Sequence, residues 1–180
     1  MKYLMRYVAG AVLAVGVGVL GGCHNSYPAT ETQNAKSEAE PSHFGFIRFA
    51  ENMDGGGQSC AIPIKEGRYN LKDKNYACDD DVFSYFSFDA APSAVRVRLH
   101  SDFNTGFECN WKGGTGNDWT FDINTTKNPT TTGWISIASL RGQPEGTVVT
   151  PGVRMGRWQY RSGDIEAELE CVSIHPSPLP

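Results

Sequence analysis

The chain has 180 residues, with 16 basic and 20 acidic side chains and a formal charge of −4. That length holds one ordinary domain plus end segments. Its acidic balance disfavours nucleic acid and anionic membrane surfaces as partners.

In chain order, the first six residues, MKYLMR, carry Lys2 and Arg6. An uncharged run, YVAGAVLAVGVGVL, follows, and LGGC closes it at residues 20–23. A basic start, a short apolar stretch and small residues before a cut site predict a secretory signal peptide over residues 1–22. The apolar run is shorter than the roughly 20 residues a membrane span needs. Leu20-Gly21-Gly22-Cys23 resembles the lipobox of bacterial lipoproteins, in which the cysteine is lipidated and becomes the first mature residue. No aspartate follows Cys23, so the resemblance implies an outer-membrane lipoprotein on the periplasmic face, touching the membrane through its lipid anchor only. Without Lys2 and Arg6 the basic count falls from 16 to 14, and the mature charge is −6.

Residues 24–43 hold almost nothing apolar. They cannot bury enough surface to offset ordering entropy, so the mature chain is expected to start with a flexible tether, residues 23–43. Twenty such residues span about 25 Å. The domain itself is expected over residues 44–175, with a short tail at 176–180.

Within that domain helical periodicity is scarce and strand alternation frequent. Strands are expected in FGFIRFAE (44–51), SCAIPI (59–64), FSYFSF (83–88), AVRVRLH (94–100), FECNW (107–111), WTFDI (119–123), WISIASL (134–140), TVVT (147–150), RWQYR (157–161) and IEAELECVSI (165–174). KEGRYNL (65–71) reads as a turn. In AVRVRLH the alternation puts Val95, Val97 and Leu99 inside and Arg96, Arg98 and His100 outside. Glu166, Glu168 and Glu170 alternate with Ile165, Ala167 and Leu169, a period of two that argues strand. Short strands between turn residues predict an all-β sandwich.

Four cysteines remain beyond Cys23: Cys60, Cys78, Cys109 and Cys171. An even number in an exported chain implies two disulfides. Sequence leaves three connectivities open; Cys60–Cys78 with Cys109–Cys171 is the pairing favoured here. The cysteines lack the close Cys-x-x-Cys pairs of structural zinc sites.

The first half is similar to a Greek-key motif of the βγ-crystallin family. IRFAE, the turn NMDGGGQ, the strand SCAIPI, the corner EGRYNL and the acidic-acidic-x-x-Ser stretch opening DDVFSYFSF follow that order. A second motif begins at SAVRVRLHSDFNTGFECNW. The resemblance covers residues 46–111. GWISIAS (133–139) stands as the second counterpart of DDVFSYF without its acidic pair, and residues 141–180 read as an added strand pair. The resemblance implies a Greek-key β-sandwich and a calcium half-site at Asp80, Asp81 and Ser84, weakened by Tyr85 where the family has serine. Asp79 falls outside that motif.

No Gly-x-Ser-x-Gly elbow, His-Glu-x-x-His or phosphate-cradling loop is present in the sequence. A non-enzymatic binder is therefore expected. The candidate contact residues are Asp79, Asp102, Phe103, Asn117, Asp118, Trp119 and Trp158, on loops 78–82, 101–106 and 112–118 and on exposed aromatics. Trp134 is expected in the core. A small acidic lipoprotein of this kind resembles toxin immunity proteins, so the expected partner is a protein: an envelope-directed hydrolase, a lipase or peptidoglycan hydrolase delivered by type VI secretion. The alternatives are a calcium-binding or structural envelope module and a glycan-binding module using Trp119 or Trp158.

Overall fold

A computed structural model describes residues 45–73, 76–101, 109 and 118–176. Cys23, Asp102, Phe103 and Asn117, with the leader, the tether and most of FECNW, lie outside the described residues. Among the described residues no helix is long and apolar enough to cross a membrane.

Among the described residues ten strands form two antiparallel sheets. They are β1 (Phe46–Ala50), β2 (Ser59–Pro63), β3 (Gly67–Asn70), β4 (Tyr85–Asp89), β5 (Val95–His100), β6 (Asp118–Thr125), β7 (Ile135–Ser136), β8 (Val148–Thr150), β9 (Val153–Ser162) and β10 (Cys171–Pro176). One sheet has the order β2-β1-β4-β7 and the other β3-β10-β5-β6-β9-β8. Alternation drives the assembly. Ile47 and Phe49 of β1, Phe86 and Phe88 of β4, Val97 and Leu99 of β5, and Trp119, Phe121 and Ile123 of β6 supply the buried core.

The strand orders contain an internal repeat. Replacing β1, β2 and β4 by β5, β6 and β10 turns β2-β1-β4 into β6-β5-β10. The fourth neighbour is exchanged: β7 joins the first sheet and β3 the second. Each four-strand unit thus lends its third strand to the opposite sheet, which gives two interlocked Greek keys. The β8–β9 hairpin is the addition, attached beyond β6. The expected two-motif arrangement is present, but two assignments change. GWISIAS occupies the third-strand place of the second unit, not the fourth. β10 is integral, so only β8 and β9 form the added pair.

Other differences follow from context. WISIASL forms only the two-residue β7 and then a 3-10 turn over Ala138–Leu140. KEGRYNL contains β3, which hydrogen-bonds along β10. Residues 165–170 are not strand; the regular pairing of β10 starts at Cys171, although Glu170 N–H donates to the His100 carbonyl at 3.0 Å. β10 runs to Pro176, two residues past the end expected for that strand and one past the expected domain boundary at 175. Trp134 is half-buried, not core, and seats on Gly55, where a Cβ would lie 2.5 Å from its Nε1. With φ at +82°, that position suits glycine twice over.

Both disulfides form the favoured pairing, Cys60–Cys78 with Cα atoms 5.2 Å apart and Cys109–Cys171 at 5.8 Å. The second explains an error about His100. The histidine does lie on the outer face of β5, but it is only 3% exposed. Cys171 is its cross-strand partner, and the bridge to buried Cys109 covers that face. Burial, with Arg98 nearby, pushes the His100 imidazole down to about 3. It is neutral, with Nε2 3.3 Å from Ser173 Oγ.

Candidate functional site

The two interlocked units place two equivalent loops side by side, one before β4 and one before β10. Ser84 N–H donates to the carbonyl of Ala50 at the end of β1 (3.2 Å), as Glu170 N–H does to His100 at the end of β5. Ile137 N–H reaches the Ser84 carbonyl and Leu71 N–H the Glu170 carbonyl, both at 2.9 Å. Three residues before Ser84, Asp81 has φ of 56°; three before Glu170, Ala167 has φ of 55°. Four residues earlier again, Ala77 and Gly163 are also left-handed. A non-glycine residue in this region is uncommon, so the matched pairs mark one loop shape used twice. The loops also bond to each other. Asp81 N–H donates to the Leu169 carbonyl and Ala167 N–H to Ser84 Oγ.

This arrangement gathers Asp80, Asp81 and Glu170, whose carboxylate oxygens all lie within 4.8 Å of one another. Glu168 acts on Asp81 as a further negative charge. Lys72 stands among them, with Nζ 3.0 Å from Asp80 and 3.5 Å from Glu170. Its hydrogen bond to Asp80, aided by the surrounding carboxylates, raises its pKa. Cys78, tied to Cys60 on β2, anchors the first loop from below, and Asp79 is exposed beside it. The result is an acidic ridge on a braced backbone.

Of the residues expected here, Asp79, Asp80, Asp81 and Ser84 share the ridge. Ser84 Oγ accepts a hydrogen bond from the Ala167 N–H at 3.0 Å. Glu170 and Lys72 had not been anticipated. The usable signal was the match between DDVFS (80–84) and EAELE (166–170), each placed just before a fourth strand. The glutamates' period of two hid it. Trp119 and Asp118 must be withdrawn as contact residues. Trp119 is 0% exposed, because it sits on the inner face of β6 against Phe121. Asp118 is 3% exposed, and its carboxylate lies 3.8 Å from Arg161. Trp158 is half-buried and packs on Phe121.

Asp81 is exposed, but partial loss of water around its carboxyl, reinforced by the charges of Glu170, Asp80 and Glu168, raises it from 3.8 to about 6. The folded chain therefore binds this proton more tightly than the unfolded chain. The associated stability is complete below about pH 4 and is lost as pH rises through about 6. Asp81→Asn is expected to raise the melting temperature near neutral pH and to change it little near pH 4. Asparagine also tolerates the left-handed backbone. Calorimetry across that range checks this, and an equal shift at both ends would contradict it.

No protein family profile matches the chain. No curated protein matches it either. Among solved structures, a βγ-crystallin domain from Clostridium beijerinckii is similar at 18% identity, with 72% of this chain and 97% of that chain covered and a TM-score of 0.34. A double mutant of that domain gives the same identity and TM-score, with 96% of its chain covered. The class defined by the chain's own strand order is an all-β, disulfide-bonded sandwich of two Greek keys.

Proposed function

We propose that the protein is a lipid-anchored, periplasm-facing binding module that inhibits a protein partner. The best reading is an immunity lipoprotein against an envelope-targeting hydrolase, a lipase or peptidoglycan hydrolase of type VI secretion. The supporting observation is the acidic ridge of Asp79, Asp80, Asp81 and Glu170, held by a disulfide and by paired left-handed loops. A braced loop loses little entropy on docking. Its carboxylates would steer a partner with a basic cleft and set orientation more than affinity. Lipidation of Cys23 would confine the module to the surface that such a toxin attacks.

Pull-down from periplasm with the mature protein, together with co-expression of a recovered hydrolase, tests the reading. A hydrolase should be retained and its toxicity suppressed. A variant with Asp79, Asp80 and Asp81 changed to Ser should associate about tenfold more slowly at low salt. Recovery of no hydrolase and no protection of cells would sink the proposal.

One observation favours a second reading, a cation site: three carboxylates from two loops converge. Calcium takes six to eight oxygen ligands at about 2.3–2.6 Å. Here the Lys72 ammonium competes for the same carboxylates. If calcium binds, Lys72→Met strengthens it, while Asp80→Ala or Asp81→Ala abolishes the calcium-induced thermal shift. Isothermal titration without calcium heat, in wild type and in Lys72→Met, removes this reading.

A further inference from the structure

The net charge hides how charge is divided along the domain. The ridge marks one end of the sandwich, because Ser84 and Glu170 N–H groups bond to the carbonyls of Ala50 and His100, which close β1 and β5. Asp79, Asp80, Asp81, Glu166, Glu168 and Glu170 stand at that end, with the Lys72 ammonium among them. Ser101, Asp118 and the Cys109–Cys171 bridge lie there too, so residues 102–108 and 110–117 join the described chain at the acidic end. The charges they carry, Asp102 and Glu108 against Lys112, do not reverse its sign.

The opposite end is basic. β1 starts there at Phe46, beside Pro63 and Asp89. Val95, Pro176, Asn124 and Arg154 hold the same end of the larger sheet, and the short β2–β3 and β4–β5 connections join the two sheets. A cross-strand row runs over the outer face: Arg96 of β5, Asn124 of β6 and Arg154 of β9. Both arginines are exposed, and neither has a carboxylate partner among the described residues. Residues two strands apart are separated by about 10 Å, which leaves room for a phosphate between the guanidiniums and over the Asn124 amide. Lys65 and Lys127 add two exposed ammonium groups, and Arg48 and Asp89 cancel as an ion pair. Four basic groups therefore face Glu66, a local charge of +3 among the described residues.

The six residues of β10 separate the two ends by about 20 Å. That exceeds the Debye length of about 8 Å at physiological salt, so each end acts on its own surroundings.

The tether identifies what the basic end meets. Gly45, where it joins the domain, belongs to that end, and its carbonyl accepts from Ile64 N–H at 2.9 Å. From there residues 24–44 lead back to Cys23. With a lipid on Cys23, a tether spanning about 25 Å keeps the basic end at high effective concentration beside the headgroups, where weak contacts suffice. Each basic side chain close to an anionic leaflet favours contact by roughly fivefold. The tether's own charges, three glutamates against Lys36, reduce the local sign without reversing it. We propose that Lys65, Arg96, Lys127 and Arg154 dock on anionic phospholipid headgroups of the leaflet that holds the anchor, which turns the acidic ridge away from the membrane and toward its partner. This inference rests on the lipid anchor of the proposed function.

The test uses the mature, disulfide-bonded chain, made without acylation. The Cys23 thiol, which lies outside both disulfides, is coupled to a maleimide lipid in nanodiscs. The discs are phosphatidylcholine alone or an equal mixture with phosphatidylglycerol, and both carry a gadolinium-chelating headgroup. On the mixed discs, amides of Thr126, Lys127 and Arg154 should relax about threefold or more faster than those of Asp79, Asp81 and Glu168. The contrast should shrink on phosphatidylcholine alone, and on mixed discs at about 1 M salt, where the Debye length is about 3 Å. The combined Arg96→Gln, Lys127→Gln and Arg154→Gln variant, altered only at exposed positions, should lose it on mixed discs. Equal relaxation at both ends, a ridge that relaxes faster, or a contrast indifferent to lipid charge or retained by the variant would each overturn the proposal. Palmitate labelling in cells tests the anchor separately: label missing from Cys23 would count against the anchor, not against the orientation measured through the synthetic link.

Discussion

Trp119→Ala is expected to lower unfolding free energy by about 3–5 kcal/mol, the range for removing a large aromatic from a packed interior. The ring is fully buried, lies 5.1 Å from Phe121 between centroids, and donates from Nε1 to the Asp164 carbonyl at 2.9 Å. Truncation opens a cavity between the sheets and also leaves that carbonyl without its donor. The melting temperature should fall by roughly 10–20 °C. The same change at Trp158, which is only half-buried, should cost markedly less. A melting temperature unchanged by Trp119→Ala would contradict the core placement and restore Trp119 as a surface group.

Replacing both Cys109 and Cys171 by alanine is expected to cost about 4 kcal/mol. The bridge closes a loop with a sequence separation of 62, and stabilisation by restricting the unfolded chain grows slowly with loop length. Removing Cys60–Cys78, with a separation of 18, should cost about 3 kcal/mol by the same relation. Urea unfolding of the two double variants gives the comparison. A loss below about 1 kcal/mol at Cys109–Cys171 would show that the bridge adds little constraint to the unfolded chain. A further consequence concerns His100. With its cover gone, the imidazole should regain water and titrate closer to its ordinary value of 6.5. Histidine proton shifts followed against pH would record that change.

The sheet framework was legible in the sequence where alternation was clean. AVRVRLH and WTFDI put alternate residues on opposite faces, and the structure sorts them so. Burial was not legible from alternation alone. His100 lies on the face that its position requires, yet a disulfide from a distant segment covers it. Trp158 is the cross-strand partner of Phe121, and Trp119 lies two residues before it on the same face of β6, but only Trp119 is sealed. Nothing in WTFDI or RWQYR encodes how far the opposite sheet extends. The segment EAELE misled most. Its spacing satisfies a strand, but its backbone must turn at Ala167 to repeat the loop shape of Asp81. Half of the acidic ridge was visible as the Asp79–Asp81 run. The other half, Glu170 with its neighbour Lys72, depends on two units meeting, and no local pattern announces a meeting.

The exchange of third strands has a consequence for timing. β10, the last strand described along the chain, lies between β3 and β5 in the middle of the larger sheet. While residues 171–176 are still being made, β3 has no partner in that sheet and β5 has only β6. β7, in turn, comes from the second unit to finish the first sheet. Neither half can settle alone, and the long-range pairings that close the sandwich come at the end, when they are slowest to form. A chain proposed to pass through a membrane before reaching its anchor would stay threadable for as long as its final strand is withheld.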